Sequence, residues 1–288
     1  MHSFYLSPGS LDIIAVTGPD AVRLLQGQVT CDVEAIADPG FARGALCNNK
    51  GRVLTTFILV RHAQSVYVVL SDGLGAIFVQ TLKKYLPFYK CEMKPADGVL
   101  VGAVGNDLAK TLADTLPDGG LCASLSDGWI CNLDAAQQQF LVYKPGTIAL
   151  PASEAGSMTD WLVSGMQSGQ FPFTASDTEK YTPQELHLDR NGYVSFTKGC
   201  YTGQEIVARM HYRGKQKKML YLLEAPSAIS PDEAMEILDG AGQPLGTSLK
   251  VLHAAGRIHA LAHLPADLDG ATAAPKNKQG LEFDLRVF

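Results

Sequence analysis

The chain reads as an α+β protein that becomes all strand beyond about residue 214. Three observations predict this. Strand-like and helix-like apolar patterns alternate through the first 213 residues. Asp-Gly turn signals recur at 72, 97, 118, 127, 239 and 269. After 214 the apolar runs are short and broken by Gly, Pro and Asp, with a helical period only over 232–238. At 288 residues the chain has room for two domains and a real core. The change of texture divides it into an α+β region, 1–213, of two interleaved subdomains, and a strand-built domain, 214–288, shaped as a small barrel or sandwich.

Taken in order, 11–16 reads as a strand. Thr17-Gly18-Pro19-Asp20 opens a helix carrying Val22, Leu25 and Val29 at helical spacing. Strands follow at 52–60 and 65–70. Leu74, Ile77, Phe78, Leu82 and Tyr85 share one face of a helix that should stop before Pro87, and 88–93 then alternates like a strand. A strand at 99–104 precedes a helix capped by Asn106 and carrying Leu108, Leu112 and Leu116; 129–133 and 140–143 form a hairpin. Ser157 and Asp160 have capping-box spacing ahead of Trp161 and Leu162.

Composition excludes several classes. With 46% hydrophobic and 18% charged residues, the chain is neither disordered, collagen-like nor mainly coiled coil. A net charge of -5 gives no general attraction for nucleic acid, so any basic site is local. Six cysteines, at 31, 47, 91, 122, 131 and 200, include no C-x-x-C pair, which suggests neither a disulfide framework nor a zinc ribbon. Free thiols fit a reducing compartment. The N-terminus does not read as a signal peptide, and apolar runs such as 57–60 are too short to span a bilayer, so the expected address is cytoplasmic with no membrane partner.

No dinucleotide fingerprint, Walker loop or nucleophile elbow occurs. His259 and His263 fall in a strand-like run, where an i, i+4 pair lies roughly 13 Å apart, too far to share one ion, so no metal site is expected. Cys122 and Cys131 have no ligand spacing and read as core.

The densest segment is 195–209, where Thr202 and Glu205 have capping-box spacing ahead of a short helix. Cys200 would then precede a helix N-terminus, with the ammonium of Lys198 two residues away, and both would favour a thiolate. The other reading is a tight turn holding a small, inert cysteine. Lysines and arginines at 198, 209, 213, 215, 217 and 218 are opposed only by Glu205. That stripe either holds carboxylates or phosphates or is a solvated face. Trp161, beside a Gly-rich stretch and the loop Phe171-Pro172-Phe173, is either core or a platform for a flat heterocycle.

Several segments in order, Thr17-Gly-Pro-Asp-Ala21, Leu25-Gln-Gly-Gln-Val-Thr-Cys-Asp32, Asn49-Lys-Gly-Arg52, Pro183-Gln-Glu185 and Lys198-Gly-Cys-Tyr-Thr-Gly-Gln-Glu205, resemble the motifs of the YgfZ family of folate-binding proteins. The resemblance implies a glycine-cleavage T-protein-like multi-domain ring with a C-terminal β-barrel and a central hole for tetrahydrofolate or a derivative. It implies an accessory role for iron-sulfur enzymes, such as the tRNA methylthiotransferase, with Cys200 as the working thiol and Lys198 beside it. It maps the folate-lining tryptophan to Trp161, an often aromatic position to Leu11, and the pterin-holding glutamate to Gln167.

Where the T-protein carries paired aspartates, this chain has Thr55 and Thr56. A neutral hydroxyl is a poor substitute for a carboxylate at an amine, so the alternative of a tetrahydrofolate-dependent aminomethyl or one-carbon transferase is disfavoured. Direct tRNA binding through the basic stripe is a further alternative. A cluster at Cys200 would need ligands from elsewhere, since one cysteine does not complete a four-ligand site.

Overall fold

The computed structural model describes residues 3–7, 9–113, 122–150, 155–214, 216–226, 234–268 and 275–287. These form three antiparallel sheets with five α-helices. The first sheet runs in the order β3 (Gly40–Cys47), β4 (Val53–His62), β5 (Ser65–Ser71), β2 (Leu11–Thr17) and β6 (Glu92–Pro95). The second has the order β1 (Phe4–Tyr5), β7 (Val99–Val104), β10 (Gln139–Lys144), β9 (Gly128–Asp134) and β8 (Cys122–Leu125).

The third sheet comes wholly from the C-terminal part, in the order β15 (Lys276–Asn277), β12 (Glu236–Leu238), β13 (Pro244–Ala254), β14 (Arg257–Pro265), β11 (Lys218–Pro226) and β16 (Asp284–Val287). A bridge from Lys276 to Glu282, just ahead of β16, brings the two ends of that order together and curls the sheet into a barrel. Period two explains why its strands read as continuous apolar runs. Tyr221, Leu223 and Ala225 fill the barrel with Ile258, Ala260 and Ala262, while Leu220, Leu222 and Leu261 face outward into the core of the first sheet.

Helices α1 (Ala21–Gln26) and α2 (Leu74–Leu82) pack on the first sheet, and α3 (Asn106–Ala113) covers one face of the second. The other face of the second sheet meets the first through Trp129, Leu141, Val60 and Val69, with α4 (Met158–Gln167) laid across this junction. Ser157 caps α4 as the sequence predicts: its hydroxyl accepts from Asp160 N at 3.1 Å, and its own N–H donates to the Asp160 carboxylate at 3.2 Å. Ser157→Ala should cost about 1 kcal/mol in urea unfolding; an unchanged midpoint would mean that the box adds nothing.

Several sequence expectations change. Helix α1 ends at Gln26, and Val29 leaves it to bridge Leu46 of β3. Strand β3 itself has no clear apolar alternation, because Gly44 leaves the space into which the Phe57 ring and the Cys31 sulfur pack. The helix with Leu74 does not stop cleanly before Pro87. It tightens into a 3-10 helix, Lys83–Phe88, that contains Pro87 and still packs Tyr85 against the core that takes Leu74, Phe78 and Leu82, and the strand starts only at Glu92. The helical period at 232–238 ends in strand β12, its first residues lying outside the described ones, as do Leu116, Asp118 and Asp269.

The expectation that Cys122 and Cys131 are free core residues is also corrected. Strands β8 and β9 pair Leu125 with Gly128, so residues 122 and 131 fall directly opposite each other and are joined as a disulfide. Spacing across the turn was visible in the sequence, but the register was not.

Candidate functional site

Where α4 crosses the junction of the first two sheets, a cleft opens with an empty volume of about 590 Å3, counted to its mouth. Trp161 forms one wall and Leu11 of β2 another, so the structure brings these two expected residues together. The Trp161 ring is buried at 7% exposure and lies where a side chain on Gly102 would stand, 2.9 Å from the ideal Cβ position. Trp161 is thus a core residue that also lines the cleft.

The polar side chains lining the cleft are Thr56, Ser71, Gln139, Gln170 and Tyr193. Gln139 is buried; its amide donates to Trp161 O at 3.4 Å and accepts from Gln170 Nε2 at 3.2 Å. Period two on β4 turns Thr56 into the cleft, while Thr55 is fully buried. A mainly apolar slot with two amides and three hydroxyl-bearing side chains suits a flat, polar-edged heterocycle.

Gln167 is not part of this cleft. Six positions beyond Trp161 it points about 240° around the helix, into a separate cavity with Ser164 and His259, and its amide donates to Glu224 at 3.4 Å. Gln170 lines the cleft with Trp161 instead. It follows Gly169, whose φ of 78° ends the helix, and its N–H returns to Gly165 O. No helical period marks such a residue, so sequence reasoning had no signal for it.

Cys200 does not line the cleft. It lies at the exposed apex of a loop leading into α5 (Gln204–Arg213). The expected capping box is absent: Gly203, at φ 85°, is the N-cap, Thr202 Oγ1 donates instead to Gln28 at 2.9 Å, and Glu205 pairs with Arg209. Only glycine suits that cap, since a Cβ would stand 2.5 Å from Asn48 O.

Lys198 also differs from expectation. Its side chain is buried, and its ammonium donates to Val29 O at 2.8 Å and Cys31 O at 2.6 Å rather than pointing to Cys200. Burial pushes it down to about 8, against the pull of Cys31, Asp32 and Glu34. The residues on either side of Cys200 are thus tied to 28–31, and the thiol between them faces solvent.

Cys31 and Cys47 are buried, and that burial pushes both thiols up to about 12. The basic stripe is thinner than its sequence suggests, because Lys198 is internal and Arg209 is paired; Lys217 and Lys218 are exposed, and Lys215 lies outside the described residues.

His259 and His263 do lie on strand β14, and each has its own partner, Glu224 at 2.7 Å and Glu185 O at 2.6 Å. Among the described residues no group of three or more His, Cys, Asp or Glu could hold a metal ion, and no helix is long and apolar enough to cross a membrane.

No protein-family model matches the chain. Individual relatives do. It is 33% identical over 240 residues to the tRNA-modifying protein YgfZ of Hamiltonella defensa subsp. Acyrthosiphon pisum (strain 5AT), covering 78% of this chain and 71% of that one. It is 32% identical over 282 residues to the tRNA-modifying protein YgfZ of Vibrio vulnificus (strain CMCP6), covering 91% and 84%. The fold matches the crystal structure of glycine cleavage system aminomethyltransferase T from Bartonella henselae with a TM-score of 0.72 at 19% identity, over 99% of this chain and 85% of that one. With relatives this similar over most of its length, the chain belongs to the YgfZ family, built on the fold of the glycine-cleavage T-protein.

Proposed function

We propose that this protein is an accessory factor of tRNA modification that binds tetrahydrofolate or a derivative in the Trp161 cleft. In this reading it supports iron-sulfur enzymes, such as the tRNA methylthiotransferase, through the exposed thiol of Cys200, and it works in the cytoplasm. The division at 213/214 then separates a folate-binding region carrying the thiol loop from the barrel.

The observation that carries the reading is the cleft, where Trp161 meets the amides of Gln139 and Gln170 and the hydroxyl of Thr56. Ring and amides match the faces and edges of a pterin, whose pyrimidine edge offers alternating donors and acceptors. Trp161 and Leu11 are the walls in this assignment, Gln170 replaces Gln167 as the edge-binding amide, and Lys198 holds the Cys200 loop. Aminomethyl transfer is disfavoured because Thr56, the cleft residue of the Thr55-Thr56 pair, carries no charge to orient an amine.

Calorimetric titration with tetrahydrofolate and its 5-formyl form, with Trp161→Ala in parallel, tests this. Saturable binding that the variant weakens at least about tenfold, or about 1.4 kcal/mol, is expected. Absence of binding at millimolar ligand would overturn the folate assignment.

A further inference from the structure

The cleft is not the only concavity placed to take a ligand. A second groove, with an empty volume of about 1000 Å3 counted to its mouth, runs between the end of α2 with its 3-10 extension and the turn joining β3 to β4. Thr202, two residues from Cys200, forms one edge, hydrogen-bonded to Gln28, which also lines the groove. No residue is common to this groove and the Trp161 cleft.

Its cations come from two elements. Lys50 stands on the β3–β4 turn, and that turn is preset: the Asn48 side-chain oxygen accepts from the N–H groups of Lys50 and Arg52 at 2.9 and 3.0 Å. Lys84 stands on the facing 3-10 segment, its ammonium 5.0 Å from the centre of the Tyr85 ring, and both residues line the groove. Neither lysine forms an ion pair with a described residue. The single carboxylate among the described residues of the lining, Glu179, is engaged by Asn48 Nδ2 at 2.9 Å, so two unpaired positive charges face one hydrogen-bonded negative charge.

Between the lysines the floor is apolar, made by Leu46, Cys47 and Leu54, while Asn49, Gln80 and Gln28 bring amides to its rim. Gln28 is 8% exposed; its oxygen accepts from Thr202, and its amide nitrogen has no acceptor among the described residues.

We infer that this groove is a nucleotide site, with a phosphate between Lys50 and Lys84 and a base on the apolar floor, its edge read by the rim amides. Ammonium groups on opposite walls suit a phosphate, which accepts from both. Amides presenting both donor and acceptor suit a base edge, and the apolar floor suits its face. That the nucleotide belongs to an RNA strand rests on the tRNA-modification reading above; the phosphate and base chemistry does not. A strand bound here would pass beside the loop that carries Cys200.

The test is fluorescence anisotropy of the full chain with a labelled single-stranded RNA octamer of mixed sequence, from 50 to 200 mM salt, with AMP as competitor. Lys50→Glu and Lys84→Glu are compared with Lys110→Glu on α3 and Lys218→Glu on the basic stripe, all checked by circular dichroism. Each groove variant should weaken binding at least about tenfold and lower the log-log salt slope by about 0.7 for each phosphate that is no longer neutralised, while the other two change it little. AMP should displace the RNA. Direct binding of AMP without RNA binding would support the groove with a free nucleotide as its ligand.

Groove variants that bind like the parent would overturn the inference, as would equal weakening in Lys218→Glu or no binding of RNA or AMP at millimolar concentration. Folate titration of Lys84→Glu keeps the two proposals apart. Retained folate binding without nucleotide binding supports both, and retained nucleotide binding in a chain that binds no folate removes only the cleft assignment.

Discussion

Cys200→Ser is expected to abolish the ability of this protein to restore tRNA methylthiolation in cells lacking their own family member, while leaving the fold and folate binding intact. The side chain is exposed, lies outside all four apolar cores and does not line the Trp161 cleft. Its replacement by an isosteric hydroxyl should therefore shift unfolding by less than about 0.5 kcal/mol. A hydroxyl is a far weaker nucleophile than a thiol and cannot form a disulfide or persulfide, so any thiol step is removed outright.

The other free cysteines provide the contrast. Cys31 and Cys47 are buried thiols pushed up to about 12, and burial also raises Cys91. Cys91→Ser should complement like the parent. Both variants are scored by the methylthiolated fraction of a tRNA substrate in nucleoside digests. Full complementation by Cys200→Ser would remove the thiol from the mechanism and leave the cleft and the groove to carry it.

Local chemistry was legible in the sequence, and contacts between distant segments were not. Ser157 and Asp160 announce their capping box because both partners sit within one turn, and 129–133 pairs with 140–143 because a turn separates them. Strand β3 was missed because its glycines erase the alternation that would reveal it. Thr202 and Glu205 carry the spacing of a box, but an αL glycine and the distant Gln28 decide the cap instead. Gln167 and Gln170 differ by three positions, and only the direction of α4 tells which amide meets Trp161. Counting charges along the chain pointed to 198–218, whereas Lys50 and Lys84, 34 positions apart in sequence, face one groove that no local count reveals.

Lys198 shows the same limit with an energetic consequence, since its sequence neighbour Cys200 is not its physical partner. Its carbonyl acceptors, on Val29 and Cys31, lie about 170 residues away along the chain, at separations of 169 and 167. Burial of the ammonium lowers it from 10.5 to about 8. Between those values the unfolded chain holds a proton that the folded chain has released, so unfolding free energy must rise with pH across this window and be flat below it. The span, 10.5 minus 8, corresponds to about 3 kcal/mol, or about 1.4 kcal/mol per pH unit.

The interaction with the two carbonyls survives deprotonation because a neutral amine keeps two N–H donors for them. Cys31 and Cys47 act with the opposite sign: their folded values near 12 exceed the ordinary 9.0, so their contribution falls as pH rises above 9. The clean interval is therefore pH 8 to 9. There the parent should gain up to about 1.4 kcal/mol relative to Lys198→Met, measured by urea unfolding of both proteins.

At pH 7 the variant should be less stable by about 1–3 kcal/mol, because two buried carbonyls are left without their donor while relief of ammonium desolvation offsets part of that cost. Alkylation of Cys200 by iodoacetamide should also change in Lys198→Met, because one of the two ties flanking the thiol is gone. Parallel pH-stability curves for parent and variant would show that Lys198 carries its ordinary proton affinity in the folded chain. An unchanged alkylation rate would show that Thr202 alone holds the loop.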